Sequence, residues 1–289
     1  MVTYYLFRLG ELVGPFVPIW LGFTLCDIAG WLVFWLLPSK RRAVLCNLAH
    51  VLPDATPTQR NKIAQQMIQG NLKNFFDLSR AHKMTPAQFD AQVTVVGLEN
   101  VREAEKRGKG IIVFSGHVGS FSFVSQVATR VQIHFNLTVE PVKPLKLFEL
   151  VRRLREVDPQ TKLISIAGSE LRNVFRALKR NEMVCLAIDR DVIGNGVPQV
   201  FFGRPALLPT GAAEIALRTG ASVMPVLCYR TPDRRNVLVF KPGFVLETTK
   251  DHAADVIQGN ARLLREVEKM IRDRPDQWVG IQPIWDDCK

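Results

Sequence analysis

The residues best suited to chemistry lie in Phe114-Ser115-Gly116-His117-Val118-Gly119-Ser120-Phe121, where an apolar run meets a glycine-bracketed turn. Imidazole ordinarily titrates near neutrality, so a histidine held in such a turn can take a proton and return it. The apolar run reads as a strand and the residues after the turn as a helix. That order puts His117 at the carboxyl end of a strand, where open α/β sheets hold their ligands. A helix starting there would also present unpaired amide N–H groups to a phosphate or an oxyanion. A histidine in a loop is more often structural than catalytic, and position alone leaves both readings open. Asp189 and Asp191 follow a second apolar run, Leu186-Ala187-Ile188, and are expected at the same rim. The plainer reading of Asp189 is a turn cap paired with Arg190.

Basic residues are the other candidates. Arg152, Arg153 and Arg155 share a predicted helix, with Arg152 and Arg155 spaced to fall on one face. A guanidinium fork suits phosphate or carboxylate, although a solvated helix face accounts for each arginine singly. Arg204 is enclosed in sequence by Phe201, Phe202, Gly203 and Pro205, so its head is expected to be fixed by the loop and to meet a donor or acceptor phosphate. Gly194, Gly196 and Gly203 read as a mobile loop, not as a dinucleotide fingerprint, and no P-loop is present. The histidines, cysteines and acids show no ligand spacing, so neither a metal nor a cofactor is expected. The G-x-S-x-G elbow of serine hydrolases is absent.

These residues need a scaffold, and the pattern supplies one. Thr56-Pro57 with Gln59, and Thr85-Pro86 with Gln88, each combine an N-cap, a proline at N1 and a capping-box partner; the first opens a helix to about His82. Strands are predicted at Val93–Val96, Ile111–Phe114, Leu137–Val139, Leu163–Ile166, Met183–Ile188, Val223–Leu227 and Val237–Phe240. Helices are predicted near Glu99–Lys106, Phe121–Arg130, Leu147–Val157, Glu170–Lys179, Gly211–Thr219 and Ala253–Arg272. Such alternation implies an α/β fold with a mixed, largely parallel sheet covered on both faces. Residues 1–90 read as an apolar, helical, membrane-associating layer and 91–289 as the α/β body.

From Val13 to Leu37 the only charged residue is Asp27, and 25 helical residues would rise roughly 37 Å, enough to cross a bilayer core. Pro15, Pro18 and Asp27 oppose a span, so spanning the bilayer, lying in it and a soluble core hairpin all stay open. Trp20 and Trp35 sit where interfacial anchors would, and Lys40, Arg41 and Arg42 put the following chain on the cytoplasmic face of the inner membrane. The net charge of +11 calls for an anionic partner. No nucleic-acid-binding signature accompanies it, so lipid headgroups or an acidic carrier protein are expected and nucleic acid is not. The five cysteines, Cys26, Cys46, Cys185, Cys228 and Cys288, are widely spaced with no CxxC pair, which reads against a disulfide framework or zinc knuckle and for a reducing setting.

The His117 stretch, Leu186-Ala187-Ile188-Asp189-Arg190-Asp191, Phe201-Phe202-Gly203-Arg204-Pro205, Leu208-Pro209-Thr210-Gly211 and Ala216-Leu217-Arg218-Thr219-Gly220-Ala221 together resemble the bacterial lipid A biosynthesis acyltransferase family. That family includes the lauroyl and myristoyl transferases of lipid A and the phosphatidylinositol mannoside acyltransferases. The likeness runs from about Asn47 to Gln277-Trp278, and F-G-R-P followed by P-T-G is its most specific part. It implies a glycerolipid acyltransferase-like fold at a membrane surface and His117 as general base. The acyl group would pass from acyl-CoA or acyl carrier protein to a hydroxyl of a lipid or glycolipid.

Family members carry an acid five positions after the histidine, where this chain has Ser122. A hydroxyl can accept a hydrogen bond from the ring but brings no charge, which leaves a slow enzyme, an enzyme with a relocated acid, or a lipid-binding relative without catalysis. A relocated acid ranks first, with Asp189 and Asp191 as the natural substitutes and Asp189 expected to orient His117. The resemblance further implies Gly119, Ser120, Arg152, Arg155, Arg190, Asp191, Arg204 and Thr210 as substrate contacts. A lysophospholipid or glycerol-phosphate acyltransferase is the enzymatic alternative.

Overall fold

A computed structural model describes residues 2–120, 123–124, 127, 132–140, 143–156, 159–166 and 170–288. The chain opens with five helices: α1 (Val2–Val13), α2 (Ile19–Leu36), α3 (Pro38–Val51), α4 (Pro57–Ala81) and α5 (Pro86–Gln92). Helices α4 and α5 start as their sequences predict. The Thr56 and Thr85 hydroxyls accept from Gln59 and Gln88 amides, and each glutamine side chain accepts from the capping threonine's amide.

Strands and helices then alternate: β1 (Val93–Val96), α6 (Leu98–Glu105), β2 (Ile111–Ser115), β3 (Phe135–Val139), α7 (Leu145–Arg155), β4 (Thr161–Ser165), α8 (Leu171–Lys179) and β5 (Met183–Ala187). After them come β6 (Val197–Phe201), β7 (Arg204–Leu208), α9 (Gly211–Thr219), β8 (Ser222–Arg230), β9 (Asn236–Phe240) and α10 (His252–Asp273). Seven strands form one sheet in the order β1-β9-β8-β2-β5-β3-β4, parallel except where β8 meets β9. This is the mixed, largely parallel α/β architecture that the alternation implies.

Both faces of the sheet are covered, so β2 is buried along its whole length. Ile112, Phe114 and Val184 pack toward Met67 of α4, Leu48 of α3 and Val267 of α10. Ile111, Val113 and Met183 point the other way, toward Val101, Phe89 and Phe123. The period-two alternation along β2 thus divides one strand between two cores.

Two sequence expectations are corrected here. The segment around Gly194–Gly203 is not a loop throughout: Val197–Leu208 forms the antiparallel β6–β7 hairpin. Its two turn residues, Phe202 at φ 50° and Gly203 at φ 74°, are both left-handed, the twist that a tight two-residue hairpin turn needs. Phe202 is held there by its N–H, which donates to Glu268 Oε1 (2.6 Å), and by Arg272, 4.7 Å from its ring centre. Second, Cys46 and Cys288 form a disulfide across 242 residues, although no local cysteine pattern announces it. The chain from Gly116 to Ser120 is the expected turn, in which Val118 makes an isolated antiparallel bridge with Trp278. Most of the predicted Phe121–Arg130 helix, Ser122 included, lies outside the described residues.

Helix α2 is long and apolar enough to cross a membrane by length and composition. It lies against α4: a Cβ added at Gly22 would strike the Phe76 ring, and one at Gly30 would strike Gln69. Asp27 of α2 pairs with Lys73 of α4 at 2.6 Å. The opposite face of α2 exposes Trp20, Leu25, Ile28, Trp31, Leu32 and Trp35, continuous in character with Leu6, Leu9 and Leu12 on α1.

Candidate active site

Strands β2 and β5 are parallel neighbours with Ser115 opposite Ala187, and the Ile188 amide donates to the Ser115 carbonyl at 3.0 Å. Gly116-His117 and Ile188-Asp189 therefore leave the sheet side by side at its carboxyl edge. Asp189 is 1% exposed. Its Oδ1 lies 2.6 Å from His117 Nδ1, and its Oδ2 accepts from the His117 amide (2.9 Å) and from Trp278 Nε1 (2.8 Å). Burial by itself would raise the Asp189 pKa; the His117 charge and the hydrogen bonds from His117 and Trp278 outweigh it and hold the carboxyl well below the usual range. A carboxylate at Nδ1 fixes the proton on that nitrogen and leaves Nε2 as the basic one in the neutral ring. The ring is 22% exposed, so it meets solvent from the rim while its partner does not.

The turn that carries the ring is tightly specified. At Gly116 a Cβ would come within 2.9 Å of Val267 Cγ1. At Gly119, with φ 68°, a Cβ would overlap the Cys228 carbonyl oxygen. The turn's amides are already engaged: His117 N–H with Asp189, Val118 N–H with the Gly116 carbonyl (2.8 Å), and Gly119 N–H with the Gln277 carbonyl (2.9 Å). The Ser120 amide faces the Cys228 sulfur. The fold therefore already uses these donors; most of the predicted Phe121–Arg130 helix, whose amides are expected to receive an oxyanion, lies outside the described residues.

A buried polar network ties the turn to the amino-terminal helices. Asn74 on α4 donates to the Gly119 carbonyl at 2.8 Å. Arg230, at the end of β8, donates to Asn74 Oδ1 (3.1 Å) and to the buried Asp77 Oδ2 (2.5 Å), with its own side chain largely covered. Gln277 clamps the Arg230 backbone through its side chain, accepting at 2.7 Å and donating at 2.8 Å, while its own carbonyl holds Gly119. The His117 carbonyl accepts from Val279 at 2.7 Å. Sequence reasoning missed Trp278, Asn74, Asp77, Arg230 and Gln277 as supports; only Gln277-Trp278, at the edge of the family resemblance, gave any signal.

The profile of the family described as bacterial lipid A biosynthesis acyltransferase matches residues 4–287. The chain belongs to this family. It is similar to the phosphatidylinositol mannoside acyltransferase of Mycobacterium tuberculosis, 25% identical over 252 residues, 86% of this chain and 77% of the relative. It also resembles the enzyme of that name from Mycolicibacterium smegmatis, 24% identical over 243 residues, 83% of this chain and 77% of the relative. As a lipid A biosynthesis-type acyltransferase, the protein is an enzyme of acyl transfer to lipid or glycolipid hydroxyls.

The acyltransferase fold scatters the other expected contacts. Asp191 is an anchor for its own loop: Oδ1 accepts from the amides of Ile193, Gly194 and Asn195, and Oδ2 from Gly196. Arg190 keeps a buried Nε with no hydrogen-bond partner among the described residues and lies 3.9 Å from Glu140. Arg152 and Arg155 do not share an environment. Arg152 is bound to Glu156 and lines an open cleft of about 860 Å³ beside β4, whereas Arg155 turns inward, its Nε buried and its pKa lowered by burial. Arg204 stands exposed at the hairpin end with no hydrogen bond or ion pair among the described residues, because the Phe202-Gly203 turn projects it instead of enclosing it. Thr210 caps α9 by position alone, without a side-chain cap bond, and Ser120 is buried with its Oγ unpartnered among the described residues. Contrary to the sequence expectation, four potential metal ligands do meet, away from this rim: Cys46, His50, Asp287 and Cys288.

Proposed function

We propose that the protein transfers a fatty acyl group from a thioester, acyl-CoA or acyl carrier protein, to a hydroxyl of a phosphoinositol-mannoside-type glycolipid, with His117 as general base and Asp189 as its orienting partner. The observation that carries the reading is the 2.6 Å contact between a buried, ionised carboxylate and His117 Nδ1. His117 Nε2 takes the proton from the acceptor hydroxyl as the oxygen attacks the thioester carbonyl. Asp189 stabilises the imidazolium that forms. The tetrahedral intermediate then collapses and expels the thiolate, which takes up the proton from the ring and leaves as the thiol. The described turn amides being engaged, the oxyanion is assigned to Arg190, adjacent to Asp189 and with a buried Nε that has no hydrogen-bond partner among the described residues. Asp189 thereby fills the role of the acid that Ser122 does not supply.

The exposed faces of α1 and α2 serve in this reading as the membrane contact, lying in the interfacial layer and not across it. Arg60, Lys62 and Lys73 run along α4, the helix against which α2 packs, and a span would carry that helix into hydrocarbon. Lys40, Arg41 and Arg42 at the start of α3 then meet anionic headgroups on the cytoplasmic side.

The test is acyl transfer by purified protein to phosphatidylinositol mannosides, read by mass spectrometry for wild type and His117→Ala. Loss of about 10²- to 10⁴-fold in rate with unchanged circular dichroism is expected. Equal rates in the two proteins would refute the role of His117.

A further inference from the structure

We propose that Cys46, His50, Asp287 and Cys288 form a binding site for a zinc-class divalent cation when the two thiols are reduced. The inference goes beyond acyl transfer and does not depend on which acceptor the enzyme uses.

Each of the four side chains offers one ligand atom, and these atoms lie within 4.8 Å of one another. Two come from α3, where Cys46 and His50 are four residues apart and so fall on one helix face. The other two are consecutive residues of the carboxyl-terminal tail. His50 Nε2 lies 3.1 Å from Asp287 Oδ1, and the Cα atoms of Cys46 and Cys288 are 5.5 Å apart. Two thiolates, an imidazole and a carboxylate make a borderline-soft set of four, the composition that tetrahedral Zn²⁺ takes and that Mg²⁺ and Ca²⁺, which prefer all-oxygen shells, do not.

The surroundings of the cluster are built. The His50 ring packs 4.6 Å from the buried Trp285, which fixes its plane. Between the two α3 ligands, the fully buried Asn47 donates to the carbonyls of Gly280 (2.9 Å) and Gln282 (2.7 Å) and accepts from the Ile284 amide (3.2 Å). Helix and tail are therefore already apposed, and the ligand atoms need little reorganisation to receive an ion.

In the structure the two sulfurs are bonded to each other, which excludes the ion. A dithiol reductant passes two electrons and two protons to the disulfide and is itself oxidised to a disulfide; the cation then displaces the two thiol protons to solvent. The tail is fastened to α3 in both closed forms, by a covalent bond in one and by coordination in the other. What the clip secures is relevant to the rim, since the same tail carries Trp278 and Val279, which hold Asp189 and the His117 carbonyl.

Cobalt(II) is the probe. Full-chain protein in detergent, reduced with a phosphine and freed of metal, is titrated with Co²⁺ while visible and near-ultraviolet absorption are recorded. The expected result is one equivalent per chain, the strong visible bands of a tetrahedral ion together with sulfur-to-cobalt charge transfer, and displacement by Zn²⁺. The disulfide form should show neither band, Cys288→Ser and His50→Ala should weaken binding roughly tenfold or more, and Cys26→Ser should bind as wild type does. Weak octahedral absorption from the reduced wild type, a disulfide that resists the reductant, or a tetrahedral spectrum unchanged in Cys288→Ser would each overturn the site. The reduced and oxidised wild-type titrations decide the question even where a variant fails to fold.

Discussion

The rim around His117 and the outer face of α1 and α2 depart from ordinary burial in opposite directions. At the rim a charged carboxylate is sealed from solvent and has three donors; on the helices Leu12, Trp20, Trp31 and Trp35 stand in solvent with their large apolar surfaces uncovered. The contrast separates two kinds of design. The rim depends on a few partners drawn from distant parts of the chain, so removing one leaves a buried group unsatisfied. The helical face depends on a sum of similar side chains, each adding transfer free energy to a membrane and little to the fold.

The largest expected effect sharpens the first half of that contrast. Asp189→Ala removes the acceptor of three donors and should cost about 3–5 kcal/mol in urea unfolding, together with activity; a loss under 1 kcal/mol would mean the pair is not buried as described. Trp278→Phe deletes one donor to Asp189 and leaves a small cavity in place of the second ring of a fully buried side chain, so at least about 1–3 kcal/mol is expected in the same assay. The second half predicts the reverse pattern. Replacing Ile28 and Trp31 together by serine should lower flotation with anionic vesicles several-fold while leaving the unfolding free energy within about 0.5 kcal/mol. A collapse of stability in that variant would mark the face as structural. The smallest effect is a pH dependence. Because the folded Asp189 pKa is depressed, its stabilisation is fully present above the unfolded carboxyl value of about 4 and is lost as pH falls below it. The gap in unfolding free energy between wild type and Asp189→Asn should therefore narrow on acidification below about pH 4, and a gap that widens would reverse the assigned shift.

The fold was largely legible because its signals are local. The capping boxes at Thr56 and Thr85 and the short apolar runs between helical patterns specify elements without reference to the rest of the chain. His117 and Asp189 were legible for a related reason: each follows an apolar strand, and parallel strands deliver their carboxyl ends to one edge. Trp278 and the Asn74, Asp77 and Arg230 network were not, since nothing in a sequence distinguishes a buried ion pair between helix and strand from two solvated side chains. Arg204 misled because a run of Phe-Phe-Gly before it looks enclosing, whereas left-handed Phe202 and Gly203 make a turn that exposes it. The Cys46–Cys288 pair escaped for want of any spacing rule across 242 residues.

The central claim is that Asp189 keeps His117 basic and oriented in place of the acid absent at Ser122. It is tested most directly by the turnover of purified Asp189→Asn on a phosphatidylinositol mannoside and an acyl thioester, measured at saturating acceptor and beside the wild type. The account predicts kcat lower by about 10²-fold or more with KM for the acceptor little changed. A folded Asp189→Asn protein with wild-type kcat would contradict it.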